Sequence, residues 1–265
     1  DQMSEAWADH VACYARLDLE RTPQLYVTNY PVTNAAAVGA GDPFVLVNSA
    51  TLGLLEQAEL RTVLAHEAGH ILAEHVMYRT TLMILLSMSL GGPLGFLAGL
   101  PIMAVRLALL EWYRAAELSA DRAATLVNRD PLTTCRTLMV IGAGVRSEKL
   151  NLDAFVRQGQ DYRDVEGWDR LARMRSELGM THPHAVKRVH ELMTWVQSGE
   201  YDRIMGGEYV KRGQEAGARQ EADAAAEHYS ERFKSFFADA ADGVSKVGDQ
   251  VSDGLGKLSD WLKQH

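Results

Sequence analysis

Two histidines one helical turn apart, with a glutamate directly after the first, most constrain what this chain can fold into. Residues 66–70 read His-Glu-Ala-Gly-His within a stretch, 56–78, that predicts a helix. Positions i and i+4 of a helix share a face, so the imidazoles of His66 and His70 can reach one metal ion. Glu67 can then act as general base toward a water that the metal activates. We expect zinc, which takes imidazole and carboxylate ligands and is redox-silent.

The residues around this motif support it, although a bare match also occurs by chance and helix histidines are often ordinary surface residues. Leu60, Val63 and Leu64 give the helix an apolar face at a spacing of about 3.6 residues. Gly69 leaves room for a strand or a substrate to approach the site closely.

A second helix supplies a third ligand. Residues 111–121 contain alanine and leucine but no glycine or proline, and Glu117 and Asp121 share a face at i and i+4. We assign Glu117 to the metal and Asp121 to the outer nitrogen of a liganding histidine, where it fixes the ring orientation. The alternative is a solvated acidic face paired with Arg114 or Arg122. The surrounding apolar residues favour burial, which a metal makes less costly.

These motifs resemble the gluzincin metallopeptidases, and their wider context is similar to the HtpX-like and CaaX prenyl protease family. The resemblance covers roughly residues 25–208, and its motifs follow the family order: 34–39 (Asn-Ala-Ala-Ala-Val-Gly), 66–70, 116–121 (Ala-Glu-Leu-Ser-Ala-Asp) and 181–183 (Thr-His-Pro). It implies a zinc endopeptidase that acts on proteins or peptides, often membrane-associated ones. It also implies a mostly helical domain with a small sheet beside the active-site helix.

The resemblance carries two more residues into the site. His182 matches a histidine that the family places near the zinc-bound oxyanion, and Arg188 matches an arginine close to it; both would stabilise charge on the scissile carbonyl oxygen. Without the resemblance, His182 reads as a loop residue before a helix at 183–197 that Pro183 begins. The other histidines are interpreted as surface or structural residues: His10, His75, His184, His190, His228 and His265.

Residues 25–47 predict a small antiparallel meander. Its strands, at 25–28, 34–38 and 44–47, are rich in β-branched, aromatic and small residues and are separated by glycine and proline. The resemblance makes 34–38 an edge strand facing the zinc. A peptide substrate could add to that edge by backbone hydrogen bonds, so Asn34, Ala35 and Ala36 are the expected substrate-binding residues. The alternative is a short core strand with no ligand.

Composition excludes some classes of partner and bounds the location. The 265 residues carry a net charge of −8, which argues against a nucleic-acid partner. Cys13 and Cys135 are the only cysteines and do not form a disulfide framework. No signal peptide is recognised at the start, where residues of a longer chain are expected to be missing. We therefore expect a cytoplasmic protein, with contact to a membrane surface as an option.

Residues 80–110 are almost uncharged, Arg106 being the exception, and by length are a transmembrane candidate. The expected zinc ligands flank the segment and must lie on one side of a membrane, so it would have to cross an even number of times. Two spans need about 40 apolar residues, and roughly thirty are present. We therefore favour a helical hairpin that packs on the domain or dips into a membrane surface, over full insertion.

The predicted fold is mainly α with a small antiparallel sheet, of class α+β. A metallopeptidase domain spans 1–210, including the hairpin, and an amphipathic helical tail spans 211–265. Apolar residues in the tail recur every three or four positions, as in an amphipathic helix. Its mixed charge, without a strongly basic face, favours packing on its own domain or on another subunit over an interfacial membrane helix.

The predicted function is zinc-dependent endopeptidase, with one Zn²⁺ bound by His66, His70 and Glu117. Two alternatives are an aminopeptidase, which would need an acidic anchor motif that the chain lacks, and a silent or gated zinc-binding scaffold. The scaffold would use its C-terminal helix to bind a partner or a membrane.

Overall fold

The structure, a computed structural model, describes residues 3–39, 41–76, 99–161 and 184–209; in the helix that begins at residue 99, side chains are described from residue 112. All of these residues belong to the first of the two units into which the chain divides, Asp1–Tyr209. Several predictions lie outside the described residues: His182, the segment 80–98 and the tail from 211. The domain division stays a prediction.

The predicted α+β class is confirmed, because helices dominate the described residues. They are α1 (Ser4–Arg16), α2 (Ser49–Leu54), α3 (Gln57–Leu72), α4 (Gly99–Asn128), α5 (Pro131–Ala143), α6 (Leu152–Gln160), α7 (Ala185–Gln197) and α8 (Glu200–Met205), with a 3₁₀ turn at Ser147–Lys149. Asp130 caps α5, because its carboxylate accepts a hydrogen bond from the backbone N–H of Leu132 at 3.0 Å.

The three strands are found where they were expected, but their pairing is not a meander. They are β1 (Leu25–Thr28), β2 (Ala35–Val38) and β3 (Phe44–Asn48), in the spatial order β1-β3-β2. β2 pairs antiparallel with β3 as predicted, whereas β1 pairs parallel with β3. The sheet is therefore mixed rather than antiparallel. β2 is an edge strand, and Ala35 and Ala37 are buried toward the helices.

The part of helix α3 that carries the two histidines is enclosed by protein. Every residue from Thr62 to His70 is buried, and α3 contacts α1, α4, α5 and β2. The apolar face expected from the sequence is therefore only part of the buried surface of this helix. The helix starts after Glu56, as expected, but it ends at Leu72 rather than residue 78, since Glu74 adopts a left-handed conformation with φ 55°.

The long helix α4 crosses α3 at Gly69. A Cβ atom built on Gly69 would lie 2.9 Å from the Cβ of Ala123 and 3.2 Å from the Cα of Ala120. The close approach that this glycine permits is thus to α4, and not to a strand or a substrate as expected from the sequence. Residues 99–110, expected to form part of a hairpin, are the first three turns of α4, and Pro101 is accommodated in its first turn.

An apolar cluster joins α5 to α7. Its buried members are Cys135, Leu138, Val189, Leu192 and Trp195. Both cysteines are buried and free, and burial raises the pKa of each thiol to about 12.

No helix in the part of the chain that the structure describes is long and apolar enough to cross a bilayer.

Candidate metal centre

Three ligand atoms converge between α3 and α4. The Nε2 atoms of His66 and His70 lie 3.1 Å apart, because the two residues occupy successive turns of one helix face. The Glu117 carboxylate reaches them from α4, with Oε2 3.5 Å from His66 Nε2 and Oε1 3.3 Å from His70 Nε2. All three side chains are buried, and Glu117 is 0% exposed.

This donor set fits a zinc ion. One atom from each of His66, His70 and Glu117 lies within 4.8 Å of the other two, so one cation can contact all three. Two imidazoles and one carboxylate form one of the usual ligand sets of catalytic zinc, which keeps a fourth position for water or substrate. A set dominated by oxygen would instead have favoured magnesium or calcium.

The outer nitrogen of His66 is held by a buried ion pair. His66 Nδ1 lies 3.0 Å from Asp121 Oδ1, and Arg188 on α7 donates to both Asp121 oxygens, from Nε at 2.7 Å and from Nη2 at 2.5 Å. Burial by itself raises the pKa of Asp121, but the Arg188 guanidinium outweighs it and holds that pKa below its usual range. Asp121 is therefore anionic and can accept the His66 N–H, which leaves Nε2 to face the site.

In the protein without metal, the same contacts act on His66 itself. Burial lowers the pKa of His66, but the hydrogen bonds to Asp121 and Glu117 outweigh this effect and raise its pKa to about 9. The cluster of buried carboxylates thus attracts positive charge to the position that a metal ion would occupy.

The outer nitrogen of His70 has a partner that the sequence did not indicate. His75 Nδ1 lies 3.0 Å from His70 Nδ1, and the His75 ring meets the edge of Trp112 on α4 at a centroid distance of 5.2 Å. Burial lowers the pKa of His75 to about 4, helped by the nearby His70. His75 is thus neutral, and its Nδ1 can accept the proton on the outer nitrogen of His70.

His75 could not be found from helical spacing. On a continuous helix, position i+5 would not lie over His70, so His75 was interpreted as a surface or structural residue. The left-handed residue Glu74 follows the end of α3 and turns the chain back, which brings His75 over the ring.

Glu67 is fixed by the edge strand. Its Oε2 accepts a hydrogen bond of 2.6 Å from the backbone N–H of Ala37 on β2, and the side chain is buried. This bond fixes the position of the carboxylate next to the two histidines. Asn34 is held at the start of β2 by hydrogen bonds of 2.8 Å between its backbone and the Thr51 hydroxyl.

The structure brings together most of the residues that the sequence predicted for the site. His66, Glu67, His70, Glu117 and Asp121 form one buried group. Arg188, expected near the substrate oxyanion, pairs with Asp121, and its Nη1 lies 3.6 Å from Glu117 Oε2. Its role toward the oxyanion stays a prediction. The role of His182 stays a prediction, as that residue is outside the described ranges.

The chain matches the sequence profile of peptidase family M48 over residues 4–196. It is 36% identical over 214 residues to the plastoglobule-localized metallopeptidase 48, chloroplastic, of Arabidopsis thaliana; the match covers 77% of this chain and 60% of the relative. It is also 26% identical over 209 residues to a protease HtpX homolog of Ralstonia pickettii (strain 12J), covering 68% of this chain and 70% of the relative. No solved structure matches the chain.

Proposed function

This chain belongs to peptidase family M48, and from that premise we propose that it is a zinc-dependent endopeptidase cleaving internal peptide bonds of proteins or peptides. The observation that carries the proposal is the convergence of His66, His70 and Glu117 beside the Glu67 carboxylate. A structural zinc site would be closed by four protein ligands. The described residues supply three ligands and a carboxylate suited to proton transfer.

His66, His70 and Glu117 would hold the zinc ion. A bound zinc ion supplies Lewis acidity, which lowers the pKa of a water to about 7 and polarises a peptide carbonyl. Glu67 accepts the proton of the attacking water and passes it to the leaving amine. The hydrogen bond from Ala37 occupies Oε2, which leaves Oε1 to take the proton.

The residues around the ligands hold them in position. Asp121 accepts the outer N–H of His66, and Arg188 keeps that carboxylate ionised and oriented. His75 does the same for His70 by accepting its outer N–H. Such partners fix the tautomer in which Nε2 is free to bind metal, and their loss typically reduces metal affinity about 10–100-fold.

The free edge of β2 is the proposed binding surface for the substrate backbone. The Asn48 amide donates to the Asn34 carbonyl, and Ala36 pairs with Leu46. In an antiparallel pair, alternate residues direct both backbone groups to the same side. Ala35 and Ala37 therefore direct theirs away from β3. Because the Ala37 N–H already donates to Glu67, the backbone groups of Ala35 and the Ala37 carbonyl are the ones that an added peptide strand could bond.

Replacing Glu67 with glutamine tests the proposal, because glutamine keeps the size of the side chain but cannot accept the proton. We expect wild type and Glu67→Gln to contain equal zinc by elemental analysis, and only wild type to cleave casein. Glu5→Gln, an exposed change on α1, is the matched control and should cleave normally.

Two outcomes would contradict the proposal. Turnover by zinc-loaded Glu67→Gln would remove the role of Glu67. Zinc in both proteins without cleavage by either would favour the scaffold alternative.

A blocked peptide that is still cleaved would exclude an aminopeptidase. The cytoplasmic location, the membrane contact and the homo-oligomer through the C-terminal helix stay predictions.

A further inference from the structure

The loop that joins β1 to β2 lies at one end of the strand on which the substrate backbone is proposed to bind. β1 and β3 run parallel and end at Thr28 and Asn48, and β2 begins beside Asn48. Residues 29–33 therefore cross the end of β3 and lead into the start of β2. A peptide that adds to the free edge of β2 passes this loop where it leaves the sheet.

Two large apolar side chains of this loop face solvent. Tyr30 is 58% exposed and Val32 is 51% exposed, and Pro31 between them is exposed as well. Single exposed apolar residues are common on protein surfaces, whereas a group of them beside a binding site marks an interaction surface. Residues 22–41 contain no charged residue, so the loop and the two strands that it joins carry no charge.

The loop is held in place by bonds that do not involve these two side chains. The Asn48 side chain donates through Nδ2 to the Val32 carbonyl at 2.8 Å and accepts at Oδ1 from the Thr28 hydroxyl at 2.7 Å. The backbone N–H of Tyr30 donates to the Thr28 carbonyl at 2.9 Å. A loop that is already fixed loses little conformational entropy when a ligand binds to it.

From this arrangement we propose that Tyr30 and Val32 form an exosite for the substrate, which takes an aliphatic or aromatic side chain beyond the segment that pairs with β2. This inference rests on the proposed peptidase function. Antiparallel pairing, the more stable arrangement, directs the C-terminal side of the peptide toward the start of β2. Glu67 is bonded to Ala37, near the other end of β2. At about 3.4 Å per extended residue, the exosite therefore meets substrate residues roughly four to seven positions after the scissile bond.

Continuity with β2 identifies the substrate as the occupant of this surface. Asn34, which follows the loop directly, is fixed to the Thr51 hydroxyl through its backbone, so the loop and the edge strand form one uninterrupted surface. One extended peptide can contact both without changing direction. An apolar side chain gains burial against Tyr30 and Val32, whereas a charged side chain loses water without finding a charge of opposite sign in this stretch.

Pairs of blocked peptides of equal length are the first test. Both members carry the same sequence around the cleavage site, and they differ only at the exosite positions, where one has leucine and phenylalanine and the other has serine. We expect kcat/KM to be at least about 10-fold higher for the apolar peptide, mainly through a lower KM. Equal values, or a preference only before the scissile bond, would overturn the exosite while leaving the peptidase function intact.

Removing the apolar surface is the second test. In Tyr30→Ser/Val32→Ser, the ratio of kcat/KM between the two peptides should fall to about 1. Both positions are exposed, so the variant should fold, which its Tm checks. Tyr26→Ser is the matched control, because Tyr26 is 51% exposed in the same uncharged stretch but lies on β1, with its ring 5.7 Å from that of Phe44. An unchanged ratio in the double variant, or the same loss in the control, would refute the assignment.

Peptide binding tests the exosite without turnover. Zinc-loaded Glu67→Gln is titrated calorimetrically with the same two peptides. We expect the apolar peptide to bind at least about 10-fold more tightly. Equal affinities would overturn the exosite, whereas selective binding in a protein whose wild type cleaves neither peptide would support the exosite and overturn only the peptidase function.

Discussion

Replacing Arg188 with methionine should destabilise the protein strongly even when no metal is present. The substitution removes two charge-assisted hydrogen bonds to Asp121, of 2.7 and 2.5 Å, and leaves that carboxylate buried without its cation. Breaking one side of a buried ion pair costs about 3–5 kcal/mol. For a domain of this size, this corresponds to a fall of roughly 6–20 °C in Tm.

Thermal and urea denaturation in a chelator measure this loss separately from metal binding. Arg21→Met is the matched control. Arg21 also pairs with an aspartate, at 3.2 Å from Asp42, but the two side chains are 86% and 84% exposed. Water screens that pair, so the control should unfold like wild type.

The double variant Asp121→Asn/Arg188→Met tests whether the pair is the cause. Each single change leaves one buried charge, whereas the double change leaves neither, so its cost should fall below the sum of the single costs by about 2–3 kcal/mol. The ion pair is not what holds Asp121 in place if the double variant loses as much stability as the two single variants together. The same conclusion follows if Arg188→Met destabilises the protein no more than Arg21→Met does.

Two further predictions follow from the packing around α3. His75→Leu should lower zinc affinity about 10–100-fold in a chelator competition and should change the visible spectrum of the cobalt-substituted protein. His75→Asn should partly restore the affinity and the spectrum, whereas wild-type affinity in His75→Leu would contradict the role of His75. Gly69→Ala should lower both Tm and zinc affinity, because the added methyl would lie 2.9 Å from the Cβ of Ala123 and would push α4 away from α3. Gly53→Ala is the control and should bind zinc normally, because a methyl at Gly53 has no atom within 4 Å.

Local spacing predicted the helices and the side chains that each directs inward. His66 and His70, like Glu117 and Asp121, are four residues apart, and this spacing alone places each pair on one helix face. That the two helices meet could be expected only from the resemblance to a family, because contacts between distant segments leave no local pattern. The interpretation of Gly69 was wrong for the same reason. A glycine at this position indicates that another part of the molecule comes close, but the sequence does not show that this part is α4.

The features that the sequence missed depend on nonlocal or unusual backbone geometry. The parallel pairing of β1 with β3 joins strands that are not consecutive, and strand composition does not encode partner order. His75 reaches His70 because Glu74 adopts a conformation that is rare outside glycine. Arg188 was expected in the active site, but only the position of α7 in the structure shows that Arg188 binds Asp121.

The balance of buried charge predicts what a divalent cation does to stability. Glu67, Glu117 and Asp121 are each at most 2% exposed, and Arg188 is a cation bonded to this group. His66 must be neutral to bind a metal, and with His66 neutral the three carboxylates exceed Arg188 by two negative charges. A divalent ion would compensate this excess.

Zinc at 100 times its Kd should add about 2.7 kcal/mol to the free energy of unfolding, or roughly 5–11 °C to Tm. Magnesium should do much less, because it prefers oxygen ligands to imidazole. Glu117→Gln, which removes one charge and one ligand, should lose most of the zinc effect. Equal stabilisation by zinc and magnesium, or full stabilisation of the variant, would show that the ion binds elsewhere.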